Sequence, residues 1–153
     1  MTRRRHFICK LHLRREKIEL KDCPEFMHRH IASPMQVAEI VRAVLGHGAV
    51  REHFYAFHLD GKNRIFGFEE VAIGGLDSIL VDQASVYRTA FASGARSLIL
   101  AHNHPSGDSL PSPEDRQLTK TLMTGAEACG LQILDHVVVG ETGCYSFKER
   151  KQC

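Results

Sequence analysis

Ser97-Leu98-Ile99-Leu100-Ala101-His102-Asn103-His104-Pro105-Ser106-Gly107-Asp108-Ser109-Leu110-Pro111-Ser112-Pro113-Glu114-Asp115 is the stretch from which the fold is read. The apolar run Ser97 to Leu100 has the length and composition of a buried strand. Side chains alternate along a strand, so His102 and His104 project to one side at its C-terminal end. After a Pro/Gly loop, Ser112 has the place of a helix N-cap, Pro113 the first helical position and Asp115 the third. Two imidazoles and a carboxylate can then converge on one point with a hydroxyl close by. That is three protein ligands and an open fourth position, the pattern of a catalytic zinc. Capping by itself also accounts for Ser112 and Asp115, and the two readings are compatible. It does not account for two same-face histidines on a loop carrying Pro105, Gly107 and Pro111.

Working outward, Leu118, Leu122 and Ala126 give the helix after Ser112 an apolar face, and Gly130 ends it. Leu131 to Val139 reads as a strand and Gly143 to Phe147 as a short last one, with Tyr145 and Ser146 closing the sheet. Upstream, a helix over Ala84 to Ala92 closes at Ser93-Gly94. Before it lies a hairpin: Glu52 to Leu59, the turn Asp60-Gly61-Lys62-Asn63, then Arg64 to Phe68, with Glu69 to Ile73 continuing toward Gly74-Gly75. Ser33-Pro34 opens a further helix whose stripe is Val37, Ile40, Val41, Val44 and Leu45, ending at Gly46 and Gly48. The expected fold class is α/β, a mixed β-sheet flanked by helices.

Residues 1–30 lack such patterning and form an appended basic arm, leaving 31–153 as a single domain. The arm carries nine Lys/Arg against four acids, about +5 of a chain whose net charge is +2. Such an arm can bind nucleic-acid phosphates, although Arg3-Arg4-Arg5 and Arg14-Arg15 lack interleaved aromatics and equally suit a solvated leader. His6, Cys9, His12, Cys23, His28 and His30 match no closed zinc-site spacing. No apolar run approaches the roughly 20 residues of a membrane span, and no apolar segment follows the first arginines as in a secretory signal. The cysteine count is odd and no Cys-x-x-Cys occurs, which fits reduced thiols in a cytoplasmic protein.

His-x-His, seven residues, Ser, two residues, Asp resembles the metal-binding motif of the JAB/MPN (JAMM) metallopeptidases. His102-Asn103-His104-Pro105-Ser106-Gly107, Pro111-Ser112, Asp115, Leu134-Asp135-His136 and Tyr145-Ser146-Phe147 resemble the RadC-like branch of that family, over about Glu52 to Arg150. The resemblance implies a JAB/MPN (cytidine deaminase-like) architecture and a Zn2+ cofactor held by His102, His104 and Asp115. It implies a peptide or protein substrate cleaved at a peptide or isopeptide bond. A glutamate at the start of an upstream strand serves as proton shuttle in that pattern, a place that Glu52 matches, with Glu69 and Glu70 as rivals. Ser112 is the expected hydrogen-bond donor to the tetrahedral oxyanion. Asp135-His136 is marked as a pair supporting the site, its carboxylate orienting a ligand imidazole, or else as a polar pair at a strand bend. Asp108 is a rival to Asp115 that lies close to His104 in sequence.

Two departures stand out. The Pro-Arg-Glu word usual ahead of the metal strand is missing, with Gly74-Gly75 and later Gln83-Ala84-Ser85 in that region, which puts substrate binding in more doubt than metal binding. The basic arm is expected to stand where longer relatives carry a helix-hairpin-helix module. A DNA-repair-associated nucleic-acid-binding role and a non-catalytic JAB/MPN scaffold are the alternative functions.

Overall fold

The structure, a computed structural model, describes residues 30–46, 49–74 and 80–150. Residues 1–29 of the basic arm, with His6, Cys9, His12, Cys23 and His28, lie outside the described residues, as do Gly48 and Gly75, whereas His30 forms an isolated bridge with Arg64. Among the described residues, three helices and five strands follow in the order α1 (Pro34–Leu45), β1 (His53–Leu59), β2 (Ile65–Ile73), α2 (Gln83–Ser93), β3 (Ser97–Asn103), α3 (Pro113–Ala128), β4 (Gln132–Val139) and β5 (Cys144–Ser146). The strands form one sheet ordered β2-β1-β3-β4-β5. Every pairing is antiparallel except β3 with β4. That parallel pair requires a crossover, and α3 supplies it. This is a JAB/MPN-like mixed α/β fold.

Local chemistry sets the element ends. Ser33 and Gln36 form a capping box at α1, and Gly46 ends that helix at φ 68°. Asp82 caps α2 by accepting from the Ala84 and Ser85 amides, and Gly94 closes it in the left-handed region. Ser112 and Asp115 form the capping box of α3. Between β1 and β2 the Asp60 carboxylate accepts from the Lys62 and Arg64 amides, at 2.8 and 3.0 Å, which tightens the expected turn.

Each sheet face is covered. On one side α1 packs Val37, Ile40 and Val41 against Tyr55, Phe57, Leu59, Ile99, Ala101, Val137 and Val139. On the other, Val86 and Ala90 of α2 and Leu122 and Ala126 of α3 pack against Phe54, Ala56, Leu98 and Leu100. The central strand β3, covered on both sides, is buried along its whole length. That includes His102 and Asn103, which extend the strand beyond the apolar run that announces it. A bulge in β4 between the partners of Leu98 and Ile99 leaves Leu134 without a register partner. Among the described residues, no helix is long and apolar enough to cross a membrane, and Cys129 and Cys144 are free thiols.

Candidate metal centre

His102 stands on the second-last residue of β3, and its ring falls on the α3 face of the sheet. Phe54, its cross-strand partner on β1, stacks on it at 5.9 Å between ring centres. His104 follows where the strand ends. Its amide still donates to the Val139 carbonyl of β4, at 2.9 Å, so the loop begins in register with the sheet. His104 Nδ1 donates to the backbone oxygen of Asp108 at 2.8 Å, which turns Nε2 toward the centre. Asp115 arrives from the first turn of α3, where the capping box holds it.

The three side chains meet. His102 Nε2 and His104 Nε2 lie 3.1 Å apart. Asp115 Oδ1 is 3.2 Å from the first and Oδ2 is 3.3 Å from the second. One ligand atom from each residue lies within 4.8 Å of the others, so this cluster could bind a metal ion. The donor set fits a borderline divalent ion: two imidazoles and one carboxylate, with neither a closed thiolate cage nor an all-oxygen shell. Electrostatics point the same way. Burial opposes ionisation of Asp115, but hydrogen bonds from His102 and His104 prevail and hold its carboxyl well below the usual carboxylate range. The bond to Asp115 raises His104, against the smaller opposing effect of burial. Asp115 is therefore ionised at the centre and offers an anionic oxygen to a cation.

Glu52 lies at the same centre. Its Oε1 is 4.0 Å from His104 Nε2, and its side chain is 19% exposed where that of His102 is fully buried. The cluster is thus sealed behind His102 and reaches solvent on the Glu52 side. Glu52 is held there by a residue that sequence reasoning did not single out. The Asn103 amide accepts from the His53 N–H at 2.8 Å and donates to the Arg51 carbonyl at 2.9 Å, clamping the backbone on both sides of Glu52. The rival Glu70 is engaged elsewhere, accepting from the Tyr55 hydroxyl at 2.9 Å and pairing with His53 at 2.7 Å. Glu69 has no place in the cluster. Asp108 contributes its backbone carbonyl to His104, while its carboxylate accepts from the Leu110 amide. It is an anchor for a histidine rather than a substitute for Asp115.

Ser112 caps α3 and touches the cluster through the same hydroxyl. Its hydroxyl accepts from the Asp115 amide at 3.0 Å and donates to Asp115 Oδ2 at 2.7 Å. The cap and the centre share one hydroxyl.

The expected Asp135-His136 pair behaves differently from its description as a carboxylate orienting an imidazole. His136 Nε2 lies 2.8 Å from His102 Nδ1, and His136 Nδ1 lies 2.6 Å from Thr119 Oγ1. The group behind the ligand is therefore an imidazole. Asp135 turns to the other sheet face, where it accepts from the Ser146 hydroxyl and the Lys148 amide and borders a cavity of about 470 Å³ beside α1. The β4 bulge is the reason. Leu134 and Asp135 fall on the α1 side in succession, and alternation resumes one residue late, placing His136 opposite Leu100 on the metal side. Burial, chiefly, pushes the His136 imidazole well below its ordinary range, and the proximity of His102 adds to this. Thr119, a mid-helix threonine, carried no sequence signal of its own.

An α/β sheet domain with an imidazole–imidazole–carboxylate cluster at the end of its parallel strand pair defines a JAB/MPN-like protein with the means to bind a metal. More narrowly, the chain belongs to the RadC-like JAB domain family, whose profile matches residues 31–152. It is 44% identical over 102 residues to a UPF0758 protein of Chlorobium phaeovibrioides, covering 67% of this chain and 46% of that one. A UPF0758 protein of Syntrophomonas wolfei is 41% identical over 128 residues, 81% of this chain and 54% of its own. One from Symbiobacterium thermophilum is 40% identical over 120 residues, 78% and 51%. The chain thus spans about half the length of the curated relatives it matches.

Proposed function

We propose that this chain is a zinc-dependent hydrolase of the JAMM type that cleaves a peptide or isopeptide bond in a peptide or protein substrate. The supporting observation is the convergence of His102, His104 and Asp115 with a carboxylate, Glu52, on the solvent side of the cluster. His102, His104 and Asp115 would hold a zinc ion there, which would supply Lewis acidity and a water ionisable near neutral pH. Glu52 takes the water's proton and delivers it to the leaving nitrogen, which must be protonated to depart. Ser112 donates to the oxyanion that develops on the carbonyl oxygen. To do so its hydroxyl must give up Asp115 Oδ2, so Ser112 orients the carboxylate before reaction and serves the substrate during it. Phe54 and the buried end of β3 exclude water from behind His102. Association of the basic arm with DNA is a separate reading carried by charge alone, and a vestigial scaffold is opposed by the complete donor set.

Zinc content and turnover separate the parts of this reading. The purified chain is expected to hold about one zinc, and His104→Ala to lose it, by elemental analysis. Glu52→Gln is expected to keep the metal while losing at least about a hundredfold in hydrolysis of fluorogenic peptide and isopeptide substrates. Equal zinc in the wild type and His104→Ala would end the proposal.

A further inference from the structure

The bulge that turns Asp135 away from the metal centre delivers it to a cavity. Asp135 pairs with Ile99, three residues back along β3 from His102, and both face the α1 side of the sheet. The N-terminal end of α1, with Ser33 and Pro34, walls a cavity there of about 470 Å³. Val37, Leu59, Ile99 and Leu134 give it an apolar lining. Such a volume and lining suit a small organic group.

Asp135 is the buried charged group on this cavity, 7% exposed. Its carboxylate accepts from three donors, all neutral. The His136 amide at 2.8 Å and the Lys148 amide at 3.0 Å donate to Oδ1, and the Ser146 hydroxyl at 2.6 Å donates to Oδ2. A carboxylate offers about four lone-pair sites, so one is left, on Oδ2. Among the described residues no ion pair engages Asp135. Burial raises its carboxyl above the ordinary range, and the hydrogen bonds and the charge of Lys148 offset only part of this. An anion so placed gains most from a cation that brings its own donor. The exposed rim adds His30, Lys148 and Glu149, so with His30 neutral the lining carries two acids against one lysine, net −1.

We propose that this cavity binds a primary alkylammonium group, its nitrogen donating to Asp135 Oδ2 and its alkyl chain lying on Val37, Leu59, Ile99 and Leu134. A guanidinium is served best by two acceptors side by side, and one is left here. A carboxylate or phosphate meets Asp135 and Glu149 with like charge. A free aliphatic amine and the lysine side chain of a protein share the required chemistry. The site does not depend on the hydrolase reading, because His102, His104 and Asp115 meet on the other face of the sheet.

Titration of the ¹⁵N-labelled 153-residue chain with n-hexylammonium near neutral pH, followed by amide shifts, tests this. Hexan-1-ol and hexanoate are the neutral and anionic probes of the same shape. Saturable shifts at Leu134, Asp135 and Lys148 are expected with the ammonium, at least about tenfold tighter than with the alcohol, as a hydrogen bond to a charged group gives. Hexanoate is expected to bind more weakly than either. Asp135→Asn should bring the ammonium down to the affinity of the alcohol, and Ala32→Trp, which fills an exposed wall of the cavity, should remove both. An ammonium bound no tighter than the alcohol, no saturable binding at all, or tighter binding of hexanoate would overturn the proposal. If Asp135→Asn does not fold, the three probes on the wild type decide. Nα-acetyl-lysine methylamide separates the two sources: tighter binding than hexylammonium assigns the site to a protein lysine, weaker binding to a free amine.

Discussion

At the scale of single residues, Asp115 and His104 set the pH response of the metal-free chain. His104 is raised from its ordinary 6.5, first by its bond to Asp115. Its contribution to stability is full below 6.5 and fades as pH rises through the higher folded value. Asp115 moves the other way. Burial works against its ionisation, but the bonds from His102 and His104 outweigh it, so its contribution is present above the ordinary 3.8 and is lost as pH falls. Together they stabilise the metal-free fold most between these two ordinary values. Urea midpoints measured in chelator across pH 3 to 9 are expected to be highest in this window and to flatten in Asp115→Asn. A profile unchanged by that substitution would contradict the pairing. The residues involved were legible in the sequence because His-x-His and Ser-x-x-Asp are short-range patterns. Strand alternation and helix capping alone nearly determine where such side chains go. Asn103 and Thr119 were not legible, because nothing local distinguishes a clamp or a relay from an ordinary polar residue.

At the scale of elements, the centre depends on a close approach between two loops. The loop after β3 lies against the β4–β5 turn: the Glu141 amide donates to the Gly107 carbonyl at 2.9 Å, and the Gly107 amide donates to the His104 carbonyl at 3.0 Å. A Cβ at Gly140 would stand 2.5 Å from that Gly107 oxygen and 3.0 Å from the Ser109 amide nitrogen. Both are backbone atoms, so the loop bearing His104 must shift as a unit. The turn cannot retreat freely either, because Arg42 of α1 donates to the Gly140 and Gly143 carbonyls at 3.0 and 2.9 Å. Gly140→Ala is therefore expected to cost about 1–3 kcal/mol by denaturant unfolding, the usual range for overpacking. It should also weaken zinc binding at least about tenfold, as disturbing a ligand's support does. Gly61→Ala, with nothing within 4 Å of the added carbon, is the control expected to leave zinc affinity unchanged. Equal zinc affinity in Gly140→Ala and the wild type would show that His104 is held independently of this turn.

At the scale of the whole molecule, the cluster joins parts of the chain far apart in sequence: the start of β1, the end of β3, and the first turn of α3, with β4 behind. A ligand bound there links the α3 crossover to the central strand, and binding stabilises only the folded chain. Free zinc at one hundred times its Kd adds about 2.7 kcal/mol. For a domain of this size that corresponds to a melting temperature about 5–10 °C higher. Chelator is expected to abolish this difference in the wild type, and His104→Ala to show none, by differential scanning fluorimetry. A melting temperature indifferent to zinc in the wild type would count against a metal at this centre.

The order of helices and strands and the convergence of two histidines with an aspartate were already determined by the sequence. Caps, turns and period-two alternation act over a few residues and need no partner. What lies behind the cluster was decided only by the tertiary structure. The bulge at Leu134 arises from pairing β4 with β3, and it turns Asp135 away while bringing His136 to His102. No local rule specifies an interstrand register, because its free energy resides in contacts between segments far apart in the chain.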